Sequence, residues 1–208
     1  MRTKQTPLHD FHVAHHARMV PFAGWDMPLH YADGIKTEHL ATRQSAGLFD
    51  VSHMAQLEIS GDRAAADLAG LTPTDIAGIG DARLRYSLLL NDQGGVLDDL
   101  MIGRIGKVFY LVVNAGRADH DIGHLQKHLA ASSTLTVHTD RALLALQGPQ
   151  SASVLTRLGL DLTEFRFMQI RHFDFHATPL LITRSGYTGE DGFEIALPAS
   201  AAVQFCEA

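Results

Sequence analysis

The sequence has little of what would mark a disulfide-rich or membrane-spanning protein. Its 208 residues include a single cysteine, Cys206, and one thiol cannot form an internal disulfide or a cysteine-based zinc site. No uncharged run approaches the roughly 18 residues of a membrane-spanning helix. The basic N-terminus leads into the polar run His9-Asp10-Phe11-His12 rather than into an apolar signal core. These absences predict a cytoplasmic protein with no membrane partner.

An excess of positive charge is also missing. Seventeen Lys and Arg stand against 23 Asp and Glu, which gives a formal net charge of −6. Domains that bind nucleic acid are normally basic, so no nucleic-acid partner is expected. Hydrophobic residues make up 46% of the chain, which is enough to form the core of one large domain or two small ones.

Histidine is abundant, with 13 residues, but its pattern predicts no metal site. His12, His15 and His16 have the spacing of one side of a helix. No carboxylate-containing motif such as H-E-x-x-H frames them, and scattered histidines are more often titratable surface groups than ligands. We therefore interpret these three residues as part of a helix surface.

Hydrophobic periodicity and turn residues predict a mixed organisation of helices and strands. The N-terminal part is expected to contain a helix that begins at Thr6-Pro7 and ends near His16, and then an aromatic loop at 20–28 that is too rich in Pro and Gly for a helix. The elements predicted after this loop are, in order, a helix at 34–46 with Ile35, Leu40 and Ala41 as its apolar residues, a strand at 55–60, a helix at 63–71, strands at 84–90, 96–104 and 108–113, a helix at 117–131, strands at 134–138 and 142–147, a helix at 150–158, strands at 170–176 and 179–184, a strand ending at 197, and a last helix.

The middle of this pattern has the order strand, helix, strand, strand, helix, strand. That order favours a ferredoxin-like unit, and the segment has about the right size for a core of its own. The last predicted helix stops after one or two turns at Ala208. We therefore expect the chain to be part of a longer protein.

Four segments carry a resemblance to a known family. They are P-F-A-G-W-D-M-P at 21–28, D-V-S-H-M at 50–54, N-D-Q-G-G-V-L-D-D-L at 91–100 and S-G-Y-T-G-E-D-G-F-E at 185–194. Their order and spacing resemble those of the glycine-cleavage aminomethyltransferase family over the whole chain. Four long segments in the right order are a far more specific signal than a lone glycine pattern.

The resemblance implies an α+β, folate-binding aminomethyltransferase fold of three domains in a cloverleaf. It assigns 1–54 and 136–208 to the first domain, which is incomplete here, and 55–135 to an inserted ferredoxin-like domain. The family's C-terminal barrel is missing from the chain. The implied reaction transfers a one-carbon unit from the aminomethyl-dihydrolipoyl carrier protein (the H-protein) to tetrahydrofolate, with release of ammonia.

The resemblance places the catalytic carboxylate at Asp99. Adjacent strand residues point to opposite faces, so only one of Asp98 and Asp99 faces a given cleft. On the residues alone, the favoured interpretation is that both side chains are solvated at the mouth of a hairpin. The family position selects Asp99, whose carboxylate would stabilise positive charge on the transferred carbon and assist the attacking folate nitrogen.

The resemblance also implies a set of folate-contacting residues. Glu194 would accept the paired N–H groups of the pterin, and Tyr187 would pack on the ring or bond its edge. Tyr86 and Met54 fall at positions that would form an apolar wall, and Asn114 would line the same channel. For Met54, ordinary core packing is a nearly equal interpretation, and for Glu194 the alternative is an exposed strand glutamate.

Other functions remain open at this stage. One is another enzyme of the superfamily, such as a folate-dependent demethylase or the folate domain of an amine oxidase, although no G-x-G-x-x-G motif of a flavin domain follows a strand. A second is a non-catalytic folate-binding protein of iron–sulfur assembly, which carries a cysteine-containing K-G-C-Y-x-G-Q-E segment that is absent here. A third is a binding fragment without turnover.

Overall fold

The computed structural model describes residues 3–208, and the chain divides into two compact units. Unit 1 comprises residues 3–53, 140–167 and 172–208, and unit 2 comprises residues 54–139 with the short return segment 168–171. The assignment of 1–54 with 136–208, and of 55–135, to two domains of the family stays a prediction.

The described residues form a mixed α and β structure. The strands are β1 Lys4–Gln5, β2 Arg18–Phe22, β3 Trp25–His30, β4 Gly47–Asp50, β5 Ala55–Gly61, β6 Arg83–Leu90, β7 Val96–Ile105, β8 Val108–Val113, β9 Ser133–His138, β10 Arg141–Gln147, β11 Ile170–Phe175, β12 Thr178–Thr183 and β13 Gly192–Pro198. The helices are α1 His9–Ala14, α2 Gly34–Gln44, α3 Ala64–Leu71, α4 Ala118–His128, α5 Ser151–Arg157 and α6 Ala202–Glu207, with a 3-10 turn at Ala199–Ala201 before α6.

Unit 1 contains a three-stranded sheet of order β1-β3-β2 and a five-stranded sheet of order β11-β12-β13-β10-β4. Alternate residues of β10 and β13, among them Leu144, Phe193 and Ile195, face the hydrophobic core. The intervening residues, which include Glu194, therefore lie on the opposite face of the sheet. The strand β4 is the last in this order, so it forms an edge of the sheet within the part of the chain that is described.

Unit 2 is built on an antiparallel sheet of order β6-β7-β8-β5-β9. One face of this sheet packs under α3 and α4, where Ile59, Ile102 and Leu111 meet Leu68 and Leu125 in the core. The elements β5, α3, β7, β8, α4 and β9 follow the predicted order of strand, helix, strand, strand, helix and strand, and β6 is an additional strand at the edge beside β7.

Three local predictions are wrong in instructive ways. The predicted loop at 20–28 is part of a hairpin of β2 and β3, because Ala23 (φ 49°) and Gly24 (φ 84°) form a turn with two left-handed residues, the geometry that matches strand twist. A register shift between Arg18 and Met19 accommodates Pro28 on β3.

The first two helices also differ from the prediction. Helix α1 begins at His9 and ends at Ala14, and His16 beyond it has a positive φ of 59°, so the three histidines do not share one helix side. In α2, Ile35 and Leu40 are exposed, and Thr42 is the buried residue.

Candidate active site

Asp99 lies on β7 with its side chain on the face away from α3 and α4. Strand alternation dictates this, because Leu100 and Ile102 point into the core between the sheet and those helices. Asp98 shares the core-facing side with these two residues. Both carboxylates are half-buried and both accept hydrogen bonds, so the alternative that they are simply solvated at the hairpin mouth is wrong.

Asn114 connects the two aspartates. Its Nδ2 donates to Oδ1 of Asp99 at 3.0 Å, to the backbone oxygen of Asp99 at 3.1 Å and to Oδ1 of Asp98 at 3.1 Å. Asn114 comes directly after Val113, the last residue of β8. At this point the main-chain hydrogen bonds between β8 and β7 end, and the side-chain amide of Asn114 bonds β7 instead. The structure thus brings two of the residues predicted from the resemblance into direct contact.

Strand register places Met54 and Tyr86 near this pair. Val113 pairs with both Leu100 of β7 and Ala55 of β5, so the residues next in register are Asn114, Asp99 and Met54. Met54 itself is half-buried in the bend before β5. We refer to Asp98, Asp99, Asn114, Asp121, Tyr86 and Met54 as the carboxylate cluster.

Tyr86 lies opposite Met101 on the strand beside Asp99, on the same face as Asp99. Local desolvation and the adjacent Asp99 carboxylate, which also accepts a hydrogen bond from the phenol, raise the pKa of Tyr86 above its usual value. The side chain is nevertheless 59% exposed. Its hydroxyl therefore stays in the donor form at neutral pH, beside a carboxylate that accepts from it.

Asp121 of α4 was not singled out by any sequence motif. It is fully buried, and burial raises its pKa to about 6 against the hydrogen bond from His120. Its Oδ1 lies 3.1 Å from Nδ1 of His120, and its carboxyl is within hydrogen-bonding reach of the Asp98 carboxyl. The one available signal in the sequence was helical spacing: Asp121 lies one turn before Leu125, and these two are the buried residues of α4.

Glu194 is the central residue of a second group, in unit 1. It pairs in register with Thr183 of β12 and Ala145 of β10, on the sheet face that looks away from the hydrophobic core. Burial raises the pKa of its carboxyl, while hydrogen bonds from the hydroxyls of Ser185 and Thr183 oppose that shift. The interpretation of Glu194 as an exposed strand glutamate is wrong. A half-buried carboxylate beside two hydroxyls is suited to accepting further N–H groups.

The glycine-rich segment before Glu194 is shaped by the side chain of Gln147. A Cβ on Gly186 or Gly192 would lie 2.0 Å and 2.3 Å, respectively, from atoms of the Gln147 amide. Gln147 donates to the backbone oxygen of Ser185 at 3.1 Å and is 2% exposed. These two glycines are therefore required by the close approach of a buried amide.

Arg43 holds the outer part of the same segment. Its guanidinium donates to the backbone oxygen of Thr188 at 2.6 Å and pairs with Glu190 at 3.1 Å. Tyr187, which lies between Ser185 and Thr188, is 92% exposed. We refer to Glu194, Thr183, Ser185, Gln147 and Tyr187 as the glutamate cluster. The structure places Tyr187 at the open tip of its loop, without packing on Glu194 or its neighbours.

The histidines do not assemble a metal centre. His12 is hydrogen-bonded through Nδ1 to the hydroxyl of Tyr31 at 2.7 Å and through Nε2 to Oδ2 of Asp50 at 3.0 Å, which fastens α1 to β4. His15 bonds the backbone oxygen of Phe11 instead. Within residues 3–208 no group of His, Cys, Asp and Glu has the arrangement of a metal site, and no helix is long and apolar enough to cross a membrane.

Comparison with protein families gives a match to the GCVT N-terminal domain over residues 8–208. The chain belongs to this family. Among curated relatives, an aminomethyltransferase of Deinococcus deserti is 47% identical over 96% of the chain and 57% of the relative. A mitochondrial aminomethyltransferase of Pisum sativum is 41% identical over 99% of the chain and 52% of the relative.

A solved structure supports the same membership of the GCVT family. The glycine cleavage system aminomethyltransferase T from Bartonella henselae matches with a TM-score of 0.91 and 45% identity, over 98% of the chain and 56% of that protein. The mixed α and β fold described above is therefore that of the N-terminal part of this GCVT-family protein. The chain spans about half the length of the relatives it matches.

Proposed function

We propose that this GCVT-family chain belongs to an aminomethyltransferase of the glycine cleavage system. The reaction moves the one-carbon unit of an aminomethyl-dihydrolipoyl carrier protein, the H-protein, to tetrahydrofolate and releases ammonia. The observation that carries the proposal is the 0.91 TM-score and 45% identity to the Bartonella henselae enzyme over nearly the whole chain. The relatives named above are aminomethyltransferases, so a demethylase or a non-catalytic folate-binding protein is not favoured.

Unit 2 supplies the reacting carboxylate in this proposal. Asp99 is held through Oδ1 by Asn114 and flanked by the hydroxyl of Tyr86. A carboxylate with fixed donors is already oriented before substrate arrives, which is the condition for electrostatic stabilisation of positive charge. Asp99 would stabilise the charge that develops as the carbon leaves sulfur and would take part in proton transfer. Met54 contributes apolar surface beside it.

Unit 1 supplies the pterin contact. Tetrahydrofolate, when bound, provides the amine nitrogen that receives the carbon. Glu194 fits a pterin because its carboxylate is half-buried and retains acceptor capacity beyond the hydroxyls of Ser185 and Thr183. Tyr187 is available at the loop tip to contact the ligand. We assign no metal to the site.

The two units are assigned to domains of the family on the same basis. Unit 1 is proposed to be the first domain, and unit 2 the inserted ferredoxin-like domain, with β6 as its extra strand. The strand order β9-β5-β8-β7 within the sheet of unit 2 supports this assignment. The C-terminal barrel is proposed to lie in the part of the relatives' length that the chain does not span. A cytoplasmic location is proposed as well, although plant relatives are mitochondrial.

The experiment separates catalysis from binding. The chain, and a form extended to the length of its relatives, are assayed for tetrahydrofolate binding by calorimetry and for methylene-tetrahydrofolate formation with the aminomethyl carrier protein. The proposal expects product from the extended form. Folate binding without any product in either form would identify a non-catalytic folate-binding protein instead.

A further inference from the structure

Two buried carboxyl oxygens in unit 2 lack a hydrogen-bond donor. Oδ2 of Asp98 and Oδ2 of Asp121 are both inaccessible to solvent, and neither has a hydrogen-bond partner among residues 3–208. The two side chains are nevertheless within hydrogen-bonding reach of each other. Two acceptors in that position repel, unless one of them carries a proton.

The remaining oxygens of this pair are already in use. Oδ1 of Asp98 accepts from Nδ2 of Asn114 at 3.1 Å, and Oδ1 of Asp121 lies 3.1 Å from Nδ1 of His120. Arg117, one turn before Asp121, contacts His120 at 3.2 Å and is not among the groups that shift the pKa of Asp121. The titratable groups that face Asp121 are therefore Asp98 from β7 and His120 from its own helix.

We propose that Asp98 and Asp121 share one proton, and that this pair positions Asn114 against Asp99. The proposal rests on the function assigned to Asp99 above and makes Asp121 a positioning residue. The single amide of Asn114 donates to both aspartates of β7, so the charge on Asp98 governs how firmly that amide holds Asp99. Buried carboxyl pairs hold a common proton because two adjacent negative charges cannot both be desolvated.

The state of the pair changes within the range of ordinary pH. Burial raises the pKa of Asp121 to about 6, so the shared proton is held in mild acid and is lost above neutrality. Once it is lost, Asp98 gains full negative charge and competes more strongly for the Asn114 amide. Asp99 then loses part of its anchoring. The device couples the orientation of the reacting carboxylate to a proton that the reaction itself does not use.

The coupling is tested by carboxyl carbon NMR of aspartate-labelled chain, titrated from about pH 4 to about pH 9. Asp121 is expected to titrate in an upper step, and the Asp98 carboxyl carbon and the side-chain amide of Asn114 are expected to shift with that step. In Asp98→Asn the Asp121 step should move to lower pH by about one unit or more. Asp119→Asn, at an exposed position of the same helix, should leave it in place.

The reciprocal variant keeps the test informative if Asp98→Asn fails to fold. Asp121→Asn leaves a permanent donor to Asp98, so the upper step should vanish from both Asp98 and Asn114. An Asp121 step unaffected by Asp98→Asn, or an Asn114 amide that does not follow the step, would overturn the proposal.

Turnover of the extended form distinguishes this inference from the proposed function. Asp121→Ala, which leaves Asp98 without a donor, should lower kcat by about tenfold or more. Asp121→Asn should restore the rate and remove the basic limb of the kcat profile that the pair produces. If Asp99→Asn stops the reaction but both Asp121 variants retain the normal profile, the positioning role is wrong and the function stands. If the unmodified extended form makes no methylene-tetrahydrofolate, the function fails independently of the titration.

Discussion

The two units present their candidate residues by different means. In unit 2 the residues Asp99, Asn114 and Met54 follow one another in the pairing register of adjacent strands. In unit 1 Glu194 lies on a strand, but the loop before it takes its shape from Gln147 and Arg43, which are distant in sequence. The carboxylate cluster is thus a product of sheet geometry, whereas the glutamate cluster depends on the space that glycines leave around buried side chains.

The largest expected effect is on the stability of unit 1, where glycines make room for neighbouring atoms. Gly148 follows β10 with φ +130°, and a Cβ there would lie 2.4 Å from the backbone oxygen of Ser45 and 2.5 Å from that of Thr42. Because the obstacles are main-chain atoms, Gly148→Ala should lower the free energy of unfolding of unit 1 by more than about 3 kcal/mol. Urea unfolding followed by the fluorescence of Trp25, the only tryptophan, measures this unit.

The matched control is Gly123→Ala in α4 of unit 2, where a Cβ would meet open space. An alanine in a helix interior should raise stability by about 0.5–1 kcal/mol. Circular dichroism follows this change. Equal small effects at both glycines would remove the contrast drawn between the two units.

Catalysis should depend most strongly on unit 2. Asp99→Asn in the extended form should lower turnover by at least about a hundredfold, because the amide keeps the shape but cannot stabilise positive charge or accept a proton. Asp92→Asn, on the exposed turn of the same hairpin, should retain the normal rate. Asp98→Asn is not a neutral control, since Asp98 bonds Asn114 and packs against Asp121. A normal rate for Asp99→Asn would contradict the assignment of this carboxylate.

The two units should respond to pH with opposite sign at their buried aspartates. The folded-state pKa of Asp121 is about 6, above its unfolded value, so its contribution to stability is present below about pH 4 and is lost as the pH rises through 6. Asp121→Asn avoids this loss, so its free energy of unfolding relative to that of the unmodified chain should rise between about pH 4 and about pH 6, by no more than about 3 kcal/mol.

Asp50 in unit 1 is the opposite case. Burial pushes its pKa upward, but hydrogen bonds from His12 and Ser52 more than offset this and leave the pKa below its ordinary value. Its contribution is present at neutral pH and is lost on acidification, so the deficit of Asp50→Asn should shrink as the pH falls. Urea titrations at several pH values decide both cases. A pH-independent difference for either variant would argue against the corresponding shift.

The smallest effect concerns ligand binding by unit 1. Glu194→Gln should weaken tetrahydrofolate binding by about 1.5–3 kcal/mol, because the amide loses the charge and one acceptor toward the pterin. Calorimetry measures the affinity, and circular dichroism checks the fold. Asp174→Asn, at an exposed position of β11 in the same unit, serves as the control for lost charge. Equal affinities for Glu194→Gln and the unmodified chain would place the pterin elsewhere.

The strands of unit 2 were the most predictable part of the fold. Alternating residues and the intervening turns give 84–90, 96–104 and 108–113, within one residue of β6, β7 and β8 at each end. The hairpin of β2 and β3 was missed because Pro21, Gly24 and Pro28 mimic a loop composition. The exposed apolar residues of α2 were missed because periodicity records which residues are apolar, but not which face the rest of the fold covers.

The site shows the same division. Asp99 and Glu194 were predicted because they lie in segments that resemble a family, and strand alternation predicted that Asp98 and Asp99 point to opposite faces of the sheet. Asp121 was not predicted because its partner, Asp98, lies 23 positions earlier on strand β7. No local motif relates an aspartate on a helix to an aspartate on a distant strand. Contacts of that kind exist only after the sheet and helix have packed.

The exposed edge of unit 1 has a practical consequence for handling the protein. Strand β4 ends its sheet, and its Leu48 and Phe49 are each at least 40% exposed. Unpaired main-chain groups beside apolar side chains are a template for a strand from another molecule. Concentrated samples of the chain should therefore form oligomers through this edge. A lysine at position 48 should delay their formation in light scattering without altering the core of the unit.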